Sequence, residues 1–251
     1  MVIGVIVLLL AILAPSLSGA RERARRMICQ GNLRQWGIAF QMYRDDHGDY
    51  LPTEGTHGTG ENTGVNKPGT WYNELPPYLD IPAYKDVEGV NEAIETFPAM
   101  HVWICPSKNL TDAYRSDSGK NQFHYGMNQV LDGMGTAPEG SVDTPGFPDQ
   151  GERPLRAVQF IRTPYTVLMF DIGPNSMRGS PRDVATMYWR NPWNADGARG
   201  RFHGDYANFL YLDGSGDHFV ADDLVTDHDF INGAIVWDHP RLYWGYRPTG
   251  G

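Results

Sequence analysis

Residues 1–17, MVIGVIVLLLAILAPSL, run without a charge into residues 18–46, SGARERARRMICQGNLRQWGIAFQMYRDD. No proline interrupts the second stretch, and it holds only Gly19, Gly31 and Gly37. Ile28, Leu33, Trp36, Phe40 and Tyr43 recur at steps of three to five, which places them on one face of a helix. Arg21, Arg25, Gln30, Arg34 and Gln41 take the other faces. Asp45-Asp46-His47-Gly48 ends the helix, with Gly48 as C-cap and Pro52 just beyond. At 1.5 Å per residue, the rod from Met1 to Gly48 is about 70 Å long. Its upper half carries the apolar face and must pack on a head. Its lower half needs lipid or neighbouring helices.

The uncharged segment reads as a membrane anchor. A spanning helix takes about 20 apolar residues, and Met1 to Leu17 supplies fewer, with Pro15 and Ser16 among them. A cleaved signal peptide has its positive charge before the apolar core. Here Arg21, Arg23, Arg25 and Arg26 follow it. The positive-inside rule then leads to the expectation of further residues before Met1, with the head exported.

The remainder suits one loop-rich exported domain. The net charge is −9, and the basic residues crowd near the anchor, so the rest of the surface is acidic and nucleic acid is excluded as a partner. With 29 Gly and 18 Pro, short strands are expected in place of a helical bundle. Thr53 to Gly69 and Ala137 to Pro154 read as loops. Trp71 to Leu79 returns to the core. Val102 to Pro106 and Gln122 to Asn128 read as strands, the first stopped by proline. Thr166 to Asp171 reads as a buried strand ending in a carboxylate. Ala207 to Leu212 and His218 to Val220 flank Asp213-Gly214-Ser215-Gly216 as a hairpin.

Several blocks, in order, carry a resemblance. They are Ala14 to Glu22; Cys29-Gln30-Gly31-Asn32-Leu33-Arg34-Gln35-Trp36-Gly37; Tyr43, Asp46, Gly48 and Pro52; Cys105-Pro106; Tyr125-Gly126-Met127-Asn128; and His203, nine residues, then Asp213-Gly214. The chain resembles the prepilin-like H-X9-DG proteins, DUF1559, which are type IV pilin-like or type II secretion pseudopilin-like. The resemblance implies an α+β, type IV pilin-like fold: a transmembrane and stalk helix over 1–48, packed on a loop-rich antiparallel head over 49–251. It implies a non-enzymatic structural subunit of a pilus or pseudopilus-like filament. The subunit would sit single-pass in the cytoplasmic membrane, with its head in the periplasm or at the cell surface. Its implied partners are its own copies through the N-terminal helix, other pilins or pseudopilins, the inner-membrane assembly machinery and membrane lipid. Family members carry a basic leader, a cleavage-site Gly and Phe-Thr-Leu-Ile-Glu before the apolar helix. Aligned on Pro15, this chain starts several residues inside that helix. Either the start lies upstream of Met1 or processing is absent, and the apolar deficit favours the former.

The signature residues His203, Asp213 and Gly214 invite a catalytic reading, but no paired nucleophile accompanies them, and Asp-Gly is a favoured hairpin turn. A structural role is expected, and no catalytic residue is assigned. Cys29 and Cys105 can pair in an exported domain, a bridge contributing roughly 4 kcal/mol by loop closure; two buried thiols are the alternative. Asp213, Ser215 and Asp217 space oxygen donors two apart, with Asp222, Asp223, Asp227 and Asp229 following, which suits calcium. A solvated acidic surface is favoured over that reading. Two other functions stand behind the filament subunit. One is a non-polymerising, membrane-anchored binding domain that stacks glycans on Trp71, Trp189, Trp193, Trp237 or Trp244. The other, ranked last, is a carboxylate-pair hydrolase.

Overall fold

The computed structural model describes residues 2–53, 68–87, 98–107, 124–128, 131, 156–159, 163–171, 206–220 and 240–243. Helix α1 runs Val2–Asp46 without a break. Its core face is Cys29, Asn32, Leu33, Trp36, Ala39, Phe40 and Tyr43, all buried. Ile28 lies outside that face and is 53% exposed. Leu33, Trp36, Phe40 and Tyr43 set the helix phase, and that phase brings Cys29, not its neighbour, onto the head. The helix closes through left-handed Gly48 and Asp49, at φ 63° and 71°, and the Asp49 N–H donates to Arg44 O at 2.8 Å. A glycine accepts that conformation at no steric cost. Among the described residues, no helix is long and apolar enough to cross a membrane.

The head opposes α1 with two layers. One is aromatic. Helix α2, Trp71–Glu74, and the turns Pro76–Leu79, Tyr84–Asp86 and Pro98–Trp103 deliver Trp71, Tyr72, Tyr84 and Trp103 to the core. Trp36 meets Trp103 and Trp71 edge-on, at ring-centroid distances of 4.7 and 5.4 Å. Such pairs add about 0.5–1.5 kcal/mol beyond area burial. Trp36 Nε1 also donates to Val102 O. The segment expected as a strand at Val102 to Pro106 instead begins in the last residues of the Pro98–Trp103 helical turn and continues without regular structure through Ile104 and Cys105. Pro98 presets its φ, and Met100, Val102 and Trp103 are buried on more than one side, which erases the alternation of a strand.

The other layer is a four-stranded antiparallel sheet in sequence order. It comprises β1 Tyr125–Met127, β2 Val167–Asp171, β3 Tyr206–Tyr211 and β4 Gly216–Val220. Tyr125 pairs with Asp171, and Phe170 with Phe209. A bulge lies between Val167 and Met169. The β3–β4 hairpin turns through Asp213-Gly214-Ser215, as its sequence predicts, and β3 lies against α1. The fold class is α+β, a long N-terminal helix on an antiparallel sheet.

Candidate functional site: the seam between stalk and head

Along the seam, polar side chains from α1 hold the head by its backbone. Asn32, buried, sits at the centre. Its Nδ2 donates to His101 O at 3.2 Å, Ile104 O at 3.0 Å and the Tyr125 hydroxyl at 3.1 Å. One amide thus joins the helix, the Pro98–Trp103 turn and β1. Asn128 repeats the device one layer out: its Nδ2 donates to Val167 O, and its backbone N–H to Leu168 O. Asn208 completes it on β3, donating from N and from Nδ2 to the two oxygens of buried Asp171. Interior polar groups have to be paired in this way to avoid a cost of about 1–3 kcal/mol each.

One turn below Asn32, Cys29 Sγ lies 2.6 Å from Cys105 Sγ, and both residues are fully buried. The Cys105 N–H donates to Nδ1 of His124 at 2.8 Å, so the other ring nitrogen carries the proton. Burial, reinforced by Cys105, drives the Cys29 thiol far above its ordinary range. Burial and the neighbouring thiols likewise raise the Tyr125 phenol. Both groups are held neutral and protonated, which suits packing and not nucleophilic attack.

Just over one turn above Asn32, Gly37 meets the hairpin. A Cβ on Gly37 would lie 3.0 Å from Leu210 Cδ1 and 3.8 Å from Gly214 Cα. The missing side chain lets the helix approach β3 and the Asp-Gly turn. Gly214 has φ 83°. Asp213 Oδ1 accepts from Ser215 N at 2.9 Å and from Ser215 Oγ at 2.6 Å, closing the turn. A groove of about 310 Å³ opens beside it between Arg34, Ile38, Gln41, Arg44, Leu212 and Asp213. At the helix end, Asp46 Oδ2 accepts from the Tyr78 hydroxyl at 2.9 Å. Burial and that carboxylate push the Tyr78 phenol up to about 12. Below Cys29, Glu22 accepts from Ser107 Oγ at 2.8 Å, and the Arg26 guanidinium lies 4.7 Å over the Tyr206 ring.

The sequence-predicted residues distribute along this seam. Asp213 and Gly214 form its upper turn, while His203 lies outside the described residues. Cys29 and Cys105 meet. Of the calcium set, Asp213 and Ser215 bond each other, and the Asp217 carboxylate pairs with Arg241. Asp222, Asp223, Asp227 and Asp229 fall outside the described residues. Among the described residues, no group of three or more His, Cys, Asp or Glu is placed to hold a metal. Trp71 is fully buried, which removes it as a stacking platform; Trp189, Trp193, Trp237 and Trp244 lie outside the described residues. Sequence reasoning misses the clamp role of Asn32 and Asn128. The signal is an amide three residues after a core cysteine, on an otherwise apolar face.

A family model described as protein of unknown function, DUF1559, matches residues 18–159, more than half of the chain. That span holds the Cys29–Gly37, Tyr43–Pro52, Cys105–Pro106 and Tyr125–Asn128 blocks, and Asp213-Gly214 falls beyond it. No curated protein and no solved structure matches the chain.

Proposed function

The chain belongs to the DUF1559 family, and from that footing and the one-sided burial of α1 we propose a structural, pilin-like or pseudopilin-like subunit. It is anchored in the cytoplasmic membrane by its N-terminal helix, with the head outside. It assembles side by side with its own copies, or with other pilins, into a type IV pilus or type II secretion pseudopilus-like filament. It is not an enzyme.

The observation that carries this reading is a set of exposed apolar side chains on α1 outside its core face, of which Ile38 also borders the groove beside the Asp213-Gly214 turn. Met27, Ile38 and Met42 are 71%, 57% and 44% exposed. They stand about three turns and then about one turn apart, so they share a face roughly opposite Leu33, Trp36 and Phe40. Leu17, 52% exposed, extends the same side downward. These apolar side chains stand among exposed Arg34, Gln41 and Asp45, so this side of the helix offers both apolar and charged groups to a neighbour. The head covers the core face, and a neighbouring stalk fits this side. The uncharged stretch before Leu17 suits both a bilayer and a helical filament core.

The test is assembly of the full chain in its own envelope with Met27→Glu and Ile38→Glu combined. Both side chains are solvent-exposed, so the far-UV circular dichroism of the head is expected to stay native. Sheared envelope fractions should lose the high-molecular-weight, sedimenting form seen with the unaltered chain. Equal sedimentation of variant and unaltered chain, or a monomeric unaltered chain, defeats the proposal and leaves the anchored binding domain.

A further inference from the structure

We propose that Cys29 and Cys105 are a disulfide-forming pair whose bond staples the stalk helix to the head at the lower edge of the core. Three observations converge. The sulfurs are 2.6 Å apart, nearer than two unbonded sulfurs rest and within easy reach of the ~2.05 Å bond. The two residues lie 76 positions apart and on different elements, so their meeting is a product of the tertiary fold. Cys29 is also the lowest fully buried residue of α1 among the described residues; below it, Glu22 and Arg26 contact the head at Ser107 and Tyr206. A covalent bond here sits where a pull on the rod would begin to peel it from the head.

The chemistry around the pair points to a permanent staple and not to a redox centre or a metal site. His124 Nδ1 is occupied by the Cys105 N–H, so this nitrogen does not serve as a base toward the thiols. Among the described residues no third metal-ligating side chain joins them. Formation is an exchange with the disulfide of an external thiol–disulfide oxidoreductase. One thiolate attacks that disulfide and displaces one of its sulfurs as a thiolate. The second cysteine then attacks the mixed disulfide and releases the other sulfur. The pair gives up two protons and two electrons, the Cys29–Cys105 bond forms, and the external disulfide is reduced to two thiols. Attack needs a thiolate, and burial disfavours one at Cys29. The exchange therefore belongs to the stage before the stalk packs, and the finished bond is shielded by the core.

The experiment is intact-mass analysis of the full chain isolated from its own cell envelope without reductant, denatured and treated with iodoacetamide with and without prior reduction. The expected result is no alkylation before reduction and two carbamidomethyl groups after it, with one tryptic species linking the Cys29 and Cys105 peptides. Two alkylated cysteines without reduction overturn the proposal. As a second readout, the same chain is compared oxidised and reduced by amide hydrogen exchange. The amides of α1 around Cys29 should exchange at least about tenfold more slowly when oxidised. Equal rates would overturn the staple role even if the bond forms. Neither readout depends on filament assembly, so the two proposals fail separately.

Discussion

Replacing Asn32 by Asp changes almost no volume, yet it removes both hydrogens from the centre of the seam. The native amide faces three oxygens: His101 O, Ile104 O and the Tyr125 hydroxyl. An ionised carboxylate at this position would bring a charge and no donor against two carbonyl oxygens, with only the Tyr125 hydroxyl able to turn and donate to it. The folded Asn32→Asp chain will therefore hold the carboxyl protonated, so that it can donate once. Keeping a group of ordinary pKa about 3.9 protonated at pH 7 costs about 4 kcal/mol. One lost hydrogen bond adds about 1 kcal/mol. The expected loss at pH 7 is about 5 kcal/mol, a large share of a typical domain's stability. The sign with pH follows from linkage. The variant's folded carboxyl has a raised pKa, so the folded state binds the extra proton. The deficit is about 1 kcal/mol at or below pH 4 and grows by about 1.4 kcal/mol per pH unit until the folded pKa is passed. Urea unfolding of the full chain, followed by far-UV circular dichroism at several pH values between 4 and 7 under fixed reducing conditions, measures it. Asn32→Ala is the control, with a deficit that does not change with pH. An Asn32→Asp deficit below about 1 kcal/mol at pH 7, or one flat with pH, refutes the reasoning.

Three further outcomes are expected. Gly37→Val should cost about 1–3 kcal/mol by thermal unfolding, because the added methyls meet Leu210 at the helix–sheet contact; wild-type stability would mean the approach is looser than described. Gly214→Ala should cost about 1–2 kcal/mol by the same measurement, since its φ of 83° strains any side chain. Asp49 is raised by burial, but its bonds from Arg44 and from the Val158 N–H outweigh this and set it below the ordinary carboxylate range. Its contribution is present above about pH 4 and is lost as pH falls through its lower folded value, so Asp49→Asn should flatten the acid side of the stability profile. An unchanged acid limb in urea titrations would remove Asp49 from it.

The helix, the hairpin and the two central strands are legible in the sequence because their signals are local. Periodicity fixes a helix, and Asp-Gly between alternating apolar runs fixes a hairpin. The differences arise where tertiary contact decides. Ile28 and Cys29 are adjacent and both apolar, and only the docking angle of α1 chooses between them. The Val102 to Pro106 segment is apolar because it is enclosed by Trp36, Asn32 and β1, so its pattern carries no period. The pairing of Cys29 with Cys105 is open in the sequence, because nothing short of the fold brings residues 76 apart together.

The seam also explains why the recognised blocks are scattered through the chain. Cys29, Asn32 and Gly37 follow one another at about one helical turn along α1. Each faces a different distant block: Cys105 below, Tyr125 at the centre, and the Asp213-Gly214 turn above. Asn128 and Asn208 carry the clamp across the sheet to Asp171. What they share is the job of fixing a long helix rigidly against a small head. In the filament proposed above, a slipping seam would let the head separate from the fibre. The contacts concentrated between α1 and the head suit that proposed role.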